Sequence, residues 1–291
     1  MTYRIDPGPI PHGGYARRFD QEATIVLVGC GGTGGFLAEA ICRLLIGRSA
    51  QLHLVDLDRV ETHNVARQAF DRTEIGQFKA EVLAERLARH FGRVIGYSVL
   101  PYDRNLHAQV FSHPSSQLNL LIGCVDNAAA RRQIAATLDG HSSSYGYPPV
   151  LQSVLWLDCG NGRNAGQILL GNATRAEALR GAFLTQRGIC RALPAPNLQR
   201  PDLLDAPPES PAPVDCAEAV ATGDQGSTIN QVVAAIAASF VEKLLNGTCQ
   251  WMASYFDLDD GTLRCVPADP KTVASIAGLH VNAIAPPARA A

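Results

Sequence analysis

Apolar runs and amphipathic stretches alternate along the first half of the chain. Residues 24–29 have the sequence TIVLVG, an apolar and β-branched run typical of a buried strand. A glycine turn follows it, and the apolar spacing of residues 36–47 predicts a buried helix that ends near Gly47. The same periodicities predict strands at 51–58, 94–100 and 118–126 and helices at 79–92 and 127–138. Strands that alternate with helices favour a parallel sheet covered on both faces.

The second half of the chain has a different pattern. Apolar runs at 150–157 and 166–171 predict two strands without a helix between them, so we expect the sheet to continue with antiparallel strands. Residues 194–213 contain seven prolines and predict a long loop. A strongly apolar helix at 231–247 follows, and then a hairpin over 251–267 that turns at Asp260-Gly261.

These elements predict an α/β fold with a Rossmann-like, mostly parallel sheet that is flanked by helices and extended by antiparallel strands. A length of 291 residues suits one large domain, which we place at residues 23–282. Residues 1–22 are expected to be an extended arm, 191–215 a mobile proline-rich loop, and 283–291 a flexible tail.

The balance of charge narrows the classes of partner. The 25 basic and 27 acidic side chains give a formal net charge of -2, which argues against a general electrostatic footprint for nucleic acid or an anionic membrane. The chain lacks the roughly 18 uninterrupted apolar residues that a membrane span needs, and its first residues lack the apolar core of a signal peptide. We therefore expect a cytoplasmic protein without nucleic acid or membrane partners.

Cysteine spacing argues against a structural zinc site. The eight cysteines include no Cys-x-x-Cys pair, and several lie within apolar runs. We expect most of them, including Cys30 and Cys124, to be small buried residues.

The glycine turn after the first strand carries the first chemical signal. Gly29-x-Gly31-x-x-Gly34 lies between a predicted strand and a predicted helix, and Asp56 follows at the end of the next strand. Glycines let the backbone approach phosphate at a helix N-terminus, and an acidic residue there accepts hydrogen bonds from ribose hydroxyls. This arrangement predicts nucleotide binding, with a tight structural turn as the alternative.

A polar cluster follows Asp56. Glu61, Asn64 and Arg67 are spaced three apart, so one helical turn directs them to a single place. Lys79 opens the next helix and contributes a mobile positive charge near the same strand ends. Asp126 closes the fourth strand, where it is a candidate ligand for Mg²⁺ against the phosphates.

Together these residues resemble the ThiF/MoeB superfamily of adenylating enzymes, to which ubiquitin-activating enzymes also belong. The resemblance covers residues 24–140 and returns at 216–247. Within the superfamily, the chain is similar to the ThiF-like family of the bacterial PRTRC cassette, whose neighbours include proteins that resemble ubiquitin-conjugating components.

The resemblance implies an activity and a set of site residues. The superfamily uses ATP to form an acyl-adenylate on the C-terminal glycine carboxylate of a ubiquitin-like or sulfur-carrier protein. The implied phosphate loop is Gly29, Gly31, Gly32 and Gly34; the implied nucleotide contacts are Asp56, Asp58, Asn64, Arg67, Gln68 and Lys79; the implied magnesium ligand is Asp126. Arg67, Lys79 and Asp126 would also be catalytic, because cations must stabilise the charge that develops at the phosphate.

The resemblance also implies a thiol and an assembly. Cys216 lies where the family commonly places a cysteine that accepts the activated acyl group, with Cys190 as the next candidate and a buried packing role as the alternative. Relatives pair, so a homodimer is expected, and Arg4, Arg17 or Arg18 is a candidate to reach the partner's site.

Several interpretations stay open at the level of sequence. Arg131 and Arg132 are interpreted as part of a solvated helix face, and the alternative for Arg131, one turn after Asn127, is that it meets a partner's acidic tail. A nucleotide-binding adaptor without catalysis and an NAD-dependent dehydrogenase are the alternative functions, and pyrophosphate exchange and ligand-dependent thermal shifts distinguish them.

Overall fold

The structure is a computed structural model that describes residues 2–6, 23–111, 118–138, 154–205 and 228–286. Strands in these residues are β1 (Arg4–Ile5), β2 (Ala23–Val28), β3 (Ala50–Val55), β4 (Gly96–Ser98), β5 (Leu118–Gly123), β6 (Leu155–Asn161), β7 (Ala165–Gly171), β8 (Phe183–Leu184), β9 (Ile189–Cys190), β10 (Trp251–Asp257) and β11 (Thr262–Pro267). Helices are α1 (Gly32–Leu44), α2 (Lys79–Phe91), α3 (Arg104–Val110), α4 (Ala128–Leu138), α5 (Pro196–Gln199), α6 (Ile229–Leu245), α7 (Pro270–Ala277) and α8 (Val281–Ile284).

The main sheet has eight strands in the order β11-β10-β7-β6-β5-β2-β3-β4. Strands β6, β5, β2, β3 and β4 are parallel, while β7, β10 and β11 extend the sheet in antiparallel fashion. Every residue of β2 and β5 is buried, as expected for central strands covered on both faces. The predicted fold class is confirmed.

Two apolar layers cover the sheet. One contains buried residues of α1, α2 and α6, and the other packs Val26, Val28 and Val55 against Tyr102, Phe111 and Ile134, which belong to α4 or to the segment around α3. Parallel strands bring the carboxyl ends of β2, β3, β5 and β6 to one edge of this sandwich. That edge is where ligands bind in doubly wound folds.

Helix α6 is apolar because it is part of the chain's own core. Val233, Ala237, Phe240 and Leu244 are almost completely buried within the single chain. Its composition therefore gives no separate support for a dimer interface.

A second, small sheet uses the start of the chain. Strand β1 pairs in parallel with β9, and β8 pairs antiparallel to β9. The Ile5 N–H also donates to the Cys249 carbonyl at 2.8 Å. Part of the predicted extended arm is thus a short strand, while residues 7–22 lie outside the described part of the chain.

The proline-rich region differs from the prediction of a loop. Pro196–Gln199 and Pro201–Leu204 are short helices with proline in their first turns, and Leu193 and Ala195 are fully buried. Proline fixes the backbone at a helix start, so the same residues that suggested a loop begin these turns. Residues 206–227 lie outside the described ranges.

The sequence analysis places the start of the flexible C-terminal tail too early in the chain. Helix α8 extends over Val281–Ile284, Ile284 is fully buried, and the Ala283 carbonyl accepts a hydrogen bond from Gly181 N–H at 2.7 Å. The core therefore continues into the segment that the sequence assigned to the tail, and residues 287–291 are not among those described.

None of the helices within the described ranges combines the length and the apolar composition that crossing a membrane requires.

Candidate functional site

The glycine turn connects β2 to α1 at the carboxyl edge of the sheet. Gly29 has a φ of +91°, and its N–H donates to the Val55 carbonyl at 2.8 Å. A Cβ at Gly29 would lie 2.5 Å from the Cys124 carbonyl oxygen, and a Cβ at Gly34 would lie 1.8 Å from the Gly29 carbonyl oxygen. Both positions therefore require glycine, and the chain leaves open backbone at the start of α1.

The phosphate-loop side of α1 contacts the start of α6. Thr33 Oγ1 donates to Asn230 Oδ1 at 3.1 Å, and Asn161 Nδ2 donates to the same oxygen at 3.1 Å. A Cβ at Gly32 would lie 2.3 Å from Asn230 Nδ2, so glycine is needed here for close approach of a side chain. The sequence analysis did not identify Asn161 or Asn230, because these contacts join distant parts of the chain.

Asp56 lies directly after β3 and organises two backbone segments. Its Oδ2 accepts a hydrogen bond from Cys30 N–H at 2.6 Å, and its Oδ1 accepts one from Asp58 N–H at 2.8 Å. Burial raises the pKa of Asp56, and these two hydrogen bonds oppose that increase. The carboxylate thus braces the glycine turn from the adjacent strand.

A 3-10 helix over Thr62–Ala66 carries the polar cluster. Glu61 precedes it and Arg67 follows it, with Asn64 between them. A 3-10 helix has three residues per turn, so side chains spaced three apart are aligned, as the sequence predicted for one turn. Asn64 is buried, and its Oδ1 accepts a hydrogen bond from Glu61 N–H at 2.9 Å. Asn64 therefore also caps the turn that holds Arg67.

Gln68 lies beside the glycine turn. Its Nε2 would be 3.7 Å from a Cβ on Gly31. Its buried Oε1 accepts no hydrogen bond from any described residue. A buried amide oxygen of this kind is available to a donor on a ligand.

Lys79 is more tightly held than the sequence indicated. Its Nζ lies 3.1 Å from Asp58 Oδ2, and the lysine is buried at the start of α2. The expected mobile charge is instead a fixed one, because Asp58 and the pocket wall restrict the side chain.

Asp126 lies at the entrance to α4. Its Oδ1 accepts a hydrogen bond from Asn127 Nδ2 at 3.2 Å, while Asn127 Oδ1 accepts one from Ala130 N–H at 2.8 Å. Asn127 thus caps the helix, and the exposed carboxylate of Asp126 lies just before the helix N-terminus.

Arg131 and Arg132 have different environments. Arg131 is buried, and its Nε donates to both carboxylate oxygens of Asp158 at 3.2 Å. Burial raises the pKa of the fully buried Asp158, and Arg131 opposes that increase. The interpretation of Arg131 as part of a solvated face is wrong, whereas the exposed Arg132 bonds the Leu204 carbonyl.

One pocket of about 680 Å³ joins these groups, which is within the range of small-molecule sites. The predicted residues that line it are Gly29, Gly31, Gly32, Asp56, Asp58, Asn64, Arg67, Gln68, Lys79 and Asp126. Gly34 does not line the pocket and serves the contact between α1 and β2. Lining residues that the sequence analysis left unassigned include Thr33, Tyr102, Cys159, Asn161 and Asn230.

None of the predicted thiols and N-terminal arginines is among the described residues that line this pocket. Cys216, Arg17 and Arg18 lie outside the described residues. Arg4 is in β1 with its Nη2 3.9 Å from Asp6 Oδ2, away from the pocket lining. Cys190 is fully buried in β9, and burial raises the pKa of its thiol, so it is a poor substitute nucleophile.

Cys30 and Cys124 have different environments. Cys30 is fully buried, and burial raises the pKa of its thiol, which confirms a packing role. Cys124 is only partly buried and lines the pocket.

Comparisons with known proteins agree with this geometry. The model of the ThiF family matches residues 17–259. The chain is 31% identical over 134 residues to ubiquitin-like modifier-activating enzyme 5 of Drosophila willistoni, a match that covers 43% of this chain and 32% of the relative. It is 30% identical over 112 residues to adenylyltransferase and sulfurtransferase MOCS3 of Xenopus laevis, which covers 38% of this chain and 24% of the relative.

A solved structure has a similar fold. The crystal structure of E. coli MccB has a TM-score of 0.53 to this chain at 14% identity, over 84% of this chain and 62% of that one. The matched segments span about a third or less of the two curated relatives and less than half of the present chain.

Proposed function

This chain belongs to the ThiF family, and we propose that it uses ATP to adenylate the C-terminal carboxylate of a small carrier protein. The observation that carries the proposal is the pocket, in which Asn64, Arg67, Lys79 and Asp126 surround an open glycine turn. A dinucleotide site for hydride transfer has no need of two cations and a further carboxylate around the phosphates. Activation of a carboxylate by a triphosphate does need them.

The strand order supports one direction for a bound nucleotide. Asp56 follows β3 and suits the ribose, and the glycine turn follows the neighbouring β2 and suits the α-phosphate. Arg67 and Lys79 then face the outer phosphates from the segment that covers the same edge.

The reaction joins a carboxylate to AMP. A carboxylate oxygen of the carrier attacks the α-phosphorus, the bond from that phosphorus to the bridging oxygen breaks, and pyrophosphate leaves. Two anions must approach one another, so Arg67 and Lys79 contribute by stabilising the charge that moves onto the leaving oxygens. Asp58 and Asn64 hold these cations in place before the reaction, because they fix Lys79 and the turn that precedes Arg67.

Asp126 fits a magnesium ion of the kind that accompanies ATP. Mg²⁺ in such sites is held by one or two carboxylates together with phosphate oxygens and water. Within the ranges that the structure describes, no three His, Cys, Asp or Glu side chains form a metal-binding group, and Asp126 is an exposed carboxylate in the pocket wall. The ion would supply neutralisation of phosphate charge, and Asp126 would supply one ligand.

The carrier is proposed to be a ubiquitin-like or sulfur-carrier protein that ends in glycine. The names of the two curated relatives, a modifier-activating enzyme and an adenylyltransferase that is also a sulfurtransferase, support these two substrate classes. Transfer of the acyl group to Cys216 is the proposed next step, and a ubiquitin-conjugating-like protein is a proposed later acceptor.

A homodimer is also proposed, in which an arginine from the N-terminal segment of one subunit reaches the partner's site. This part of the proposal rests on family membership, because the apolar face of α6 is already covered within one chain. Light scattering that gives the mass of a single chain at micromolar concentration contradicts it.

The test of the main proposal is ATP–pyrophosphate exchange, measured with and without a carrier protein encoded beside this chain. Exchange that requires both the carrier and its terminal carboxylate supports adenylation. ATP binding without exchange favours the adaptor, and a thermal shift with NAD that exceeds the shift with ATP and Mg²⁺ favours the dehydrogenase.

A further inference from the structure

Arg131, which is paired with the buried Asp158, lines the end of the pocket opposite the predicted ribose position. Val55, Val28, Gly123 and Asp158 form one row across β3, β2, β5 and β6, because each is the register partner of the next. Neighbouring strands are about 4.8 Å apart, so three spacings separate the β3 end of this row from Asp158 by about 14 Å. With ribose at β3 and phosphate at β2, the β5–β6 end of the pocket is left for the second substrate.

The guanidinium of Arg131 is held in a way that leaves donors for a ligand. Among described residues its hydrogen bonds are made through Nε alone, to the two oxygens of Asp158. Guanidinium has five N–H donors, so the four on Nη1 and Nη2 form an end-on fork of the shape that binds a carboxylate with two hydrogen bonds. Arg131 lines the pocket, and its Nη2 lies beside Gly160 of β6, where a Cβ would be at an ordinary contact distance of 3.6 Å.

A buried ion pair is weak support for stability. Removal of two charges from water often costs as much as their attraction returns, and apolar residues of similar size are often as stable in such places. Asp158 is completely buried and Arg131 nearly so. Arg131 itself lines the pocket, so the cost of burying this pair is better explained by a task in binding.

We propose that Arg131, oriented by Asp158, binds the terminal carboxylate of the acyl substrate and holds it on the β6 side of the α-phosphate. This proposal rests on the adenylation reaction proposed above and identifies a binding residue for its second substrate. Arg131 holds both oxygens of the substrate's terminal carboxylate, while Arg67 and Lys79 attract the phosphates of ATP. The two anions are thus bound by separate cations. Asp158 is a positioning residue, because it acts through the guanidinium.

The experiment compares Arg131→Gln with Arg132→Gln, an exposed neighbour that does not line the pocket. The probe is a synthetic peptide that ends in glycine, used with a free carboxylate and as the C-terminal amide. ATP–pyrophosphate exchange gives the KM for the peptide, and titration calorimetry gives the Kd for ATP with Mg²⁺.

In Arg131→Gln we expect the KM for the free-carboxylate peptide to rise about tenfold to a hundredfold, because that is the usual effect of removing one charged hydrogen-bond donor. The Kd for ATP should stay within about threefold of the wild-type value. Arg131→Lys should recover part of the loss, since it keeps the charge without the fork. Arg132→Gln should behave as wild type.

Distinct results overturn the proposal. An unchanged peptide KM in Arg131→Gln removes the carboxylate role, and an equal loss of ATP affinity assigns the arginine to the nucleotide. If Arg131→Gln does not fold, Asp158→Asn takes its place, and there a rise in peptide KM without a change in ATP affinity is required. If wild-type protein gives no exchange with either the carrier protein or the free-carboxylate peptide, the adenylation proposal itself fails and this one fails with it. If only the carrier supports exchange, the same KM comparison is made with the carrier. Exchange in wild type with no effect of either variant overturns only the present proposal.

Discussion

Lys79 Nζ lies 3.1 Å from Asp58 Oδ2, yet the lysine side chain is only 9% exposed and the aspartate side chain is 58% exposed. The cation is therefore kept in the wall of the pocket mainly by its own burial, and its anionic partner is largely in solvent. An exposed carboxylate holds its partner weakly, because water screens the attraction. A phosphate that enters the pocket can thus take over the lysine without large rearrangement.

Replacement of Lys79 by Met should slow carrier-dependent pyrophosphate exchange by about 10²-fold, the usual effect of losing one electrostatic stabiliser. Asp58→Asn should have a much smaller effect, because the cation remains. Lys243→Met is the control. Lys243 is in α6, its Nζ lies 4.7 Å from the centroid of the Trp251 ring, and it does not line the pocket. Wild-type exchange in Lys79→Met rules out its role at the phosphates.

Asp126→Ala should reduce exchange by about 10²-fold or more and should reduce the dependence of ATP binding on Mg²⁺. Titration of ATP with and without Mg²⁺ measures the second effect. Asp260→Ala, in the exposed hairpin turn, is the matched control. Full activity in Asp126→Ala shows that the metal assignment is wrong.

Gly34→Ala should destabilise the fold before it affects chemistry. Its Cβ would lie 1.8 Å from the Gly29 carbonyl oxygen, which is backbone and cannot move aside. We expect the free energy of unfolding to fall by about 1–3 kcal/mol, as for overpacked sites. Gly162→Ala should be nearly neutral in the same urea titration, because its Cβ would meet only the Ala165 carbonyl at 3.9 Å. Equal stability of the two variants contradicts the packing role.

The stability of Arg131→Gln should depend on pH in a defined direction. Burial already raises the pKa of Asp158, and the loss of Arg131 raises it further. A carboxyl with a folded pKa above its unfolded value of about 3.9 is penalised once it ionises. The penalty is absent below the unfolded pKa and grows as the pH rises through the folded pKa.

The deficit in Tm of Arg131→Gln relative to wild type is therefore expected to be larger at pH 8 than at pH 5. Addition of Asp158→Asn to this variant should abolish the difference between the two pH values. A deficit that grows towards acid pH contradicts the assignment of the buried charge.

Cys216→Ala should leave pyrophosphate exchange almost intact, because adenylation precedes any use of a thiol. It should abolish a dithiothreitol-sensitive adduct between this chain and the carrier on a non-reducing gel. Cys190→Ala is the matched control, since that thiol is fully buried. An adduct that persists in Cys216→Ala assigns the role to another cysteine, and no adduct in wild type favours direct transfer to a later acceptor.

The sequence predicts those parts of the fold and site that depend on local pattern. The buried runs of β2 and β5 and the amphipathic pattern of α2 are visible as periodicity, and the residues after the strand ends follow from parallel topology. Two-residue strands such as β1 and β9 have no period to detect. They form only because distant segments supply the partner.

The same distinction holds within the pocket. Asp56 follows β3 directly, Asp126 lies three residues after β5, and Arg67 ends the short helical turn that comes after β3, so their positions could be inferred. Asp158 and Asn230 act through contacts with residues 27 and 197 positions away, respectively. No local spacing encodes such contacts, which explains why the far side of the pocket appeared only in the structure.

The hydrogen bond from Thr33 Oγ1 to Asn230 Oδ1 joins the first turn of α1 to the first turn of α6. Local opening of either turn must break this hydrogen bond, so the opening equilibria of the two turns are linked. Such linkage is reciprocal: whatever stabilises one turn also stabilises the other. A nucleotide that restrains the glycine turn should therefore slow amide hydrogen exchange in the first turn of α6, including residues next to Asn230 that do not line the pocket. Deuterium uptake at that helix would then report from a distance whether the pocket is filled.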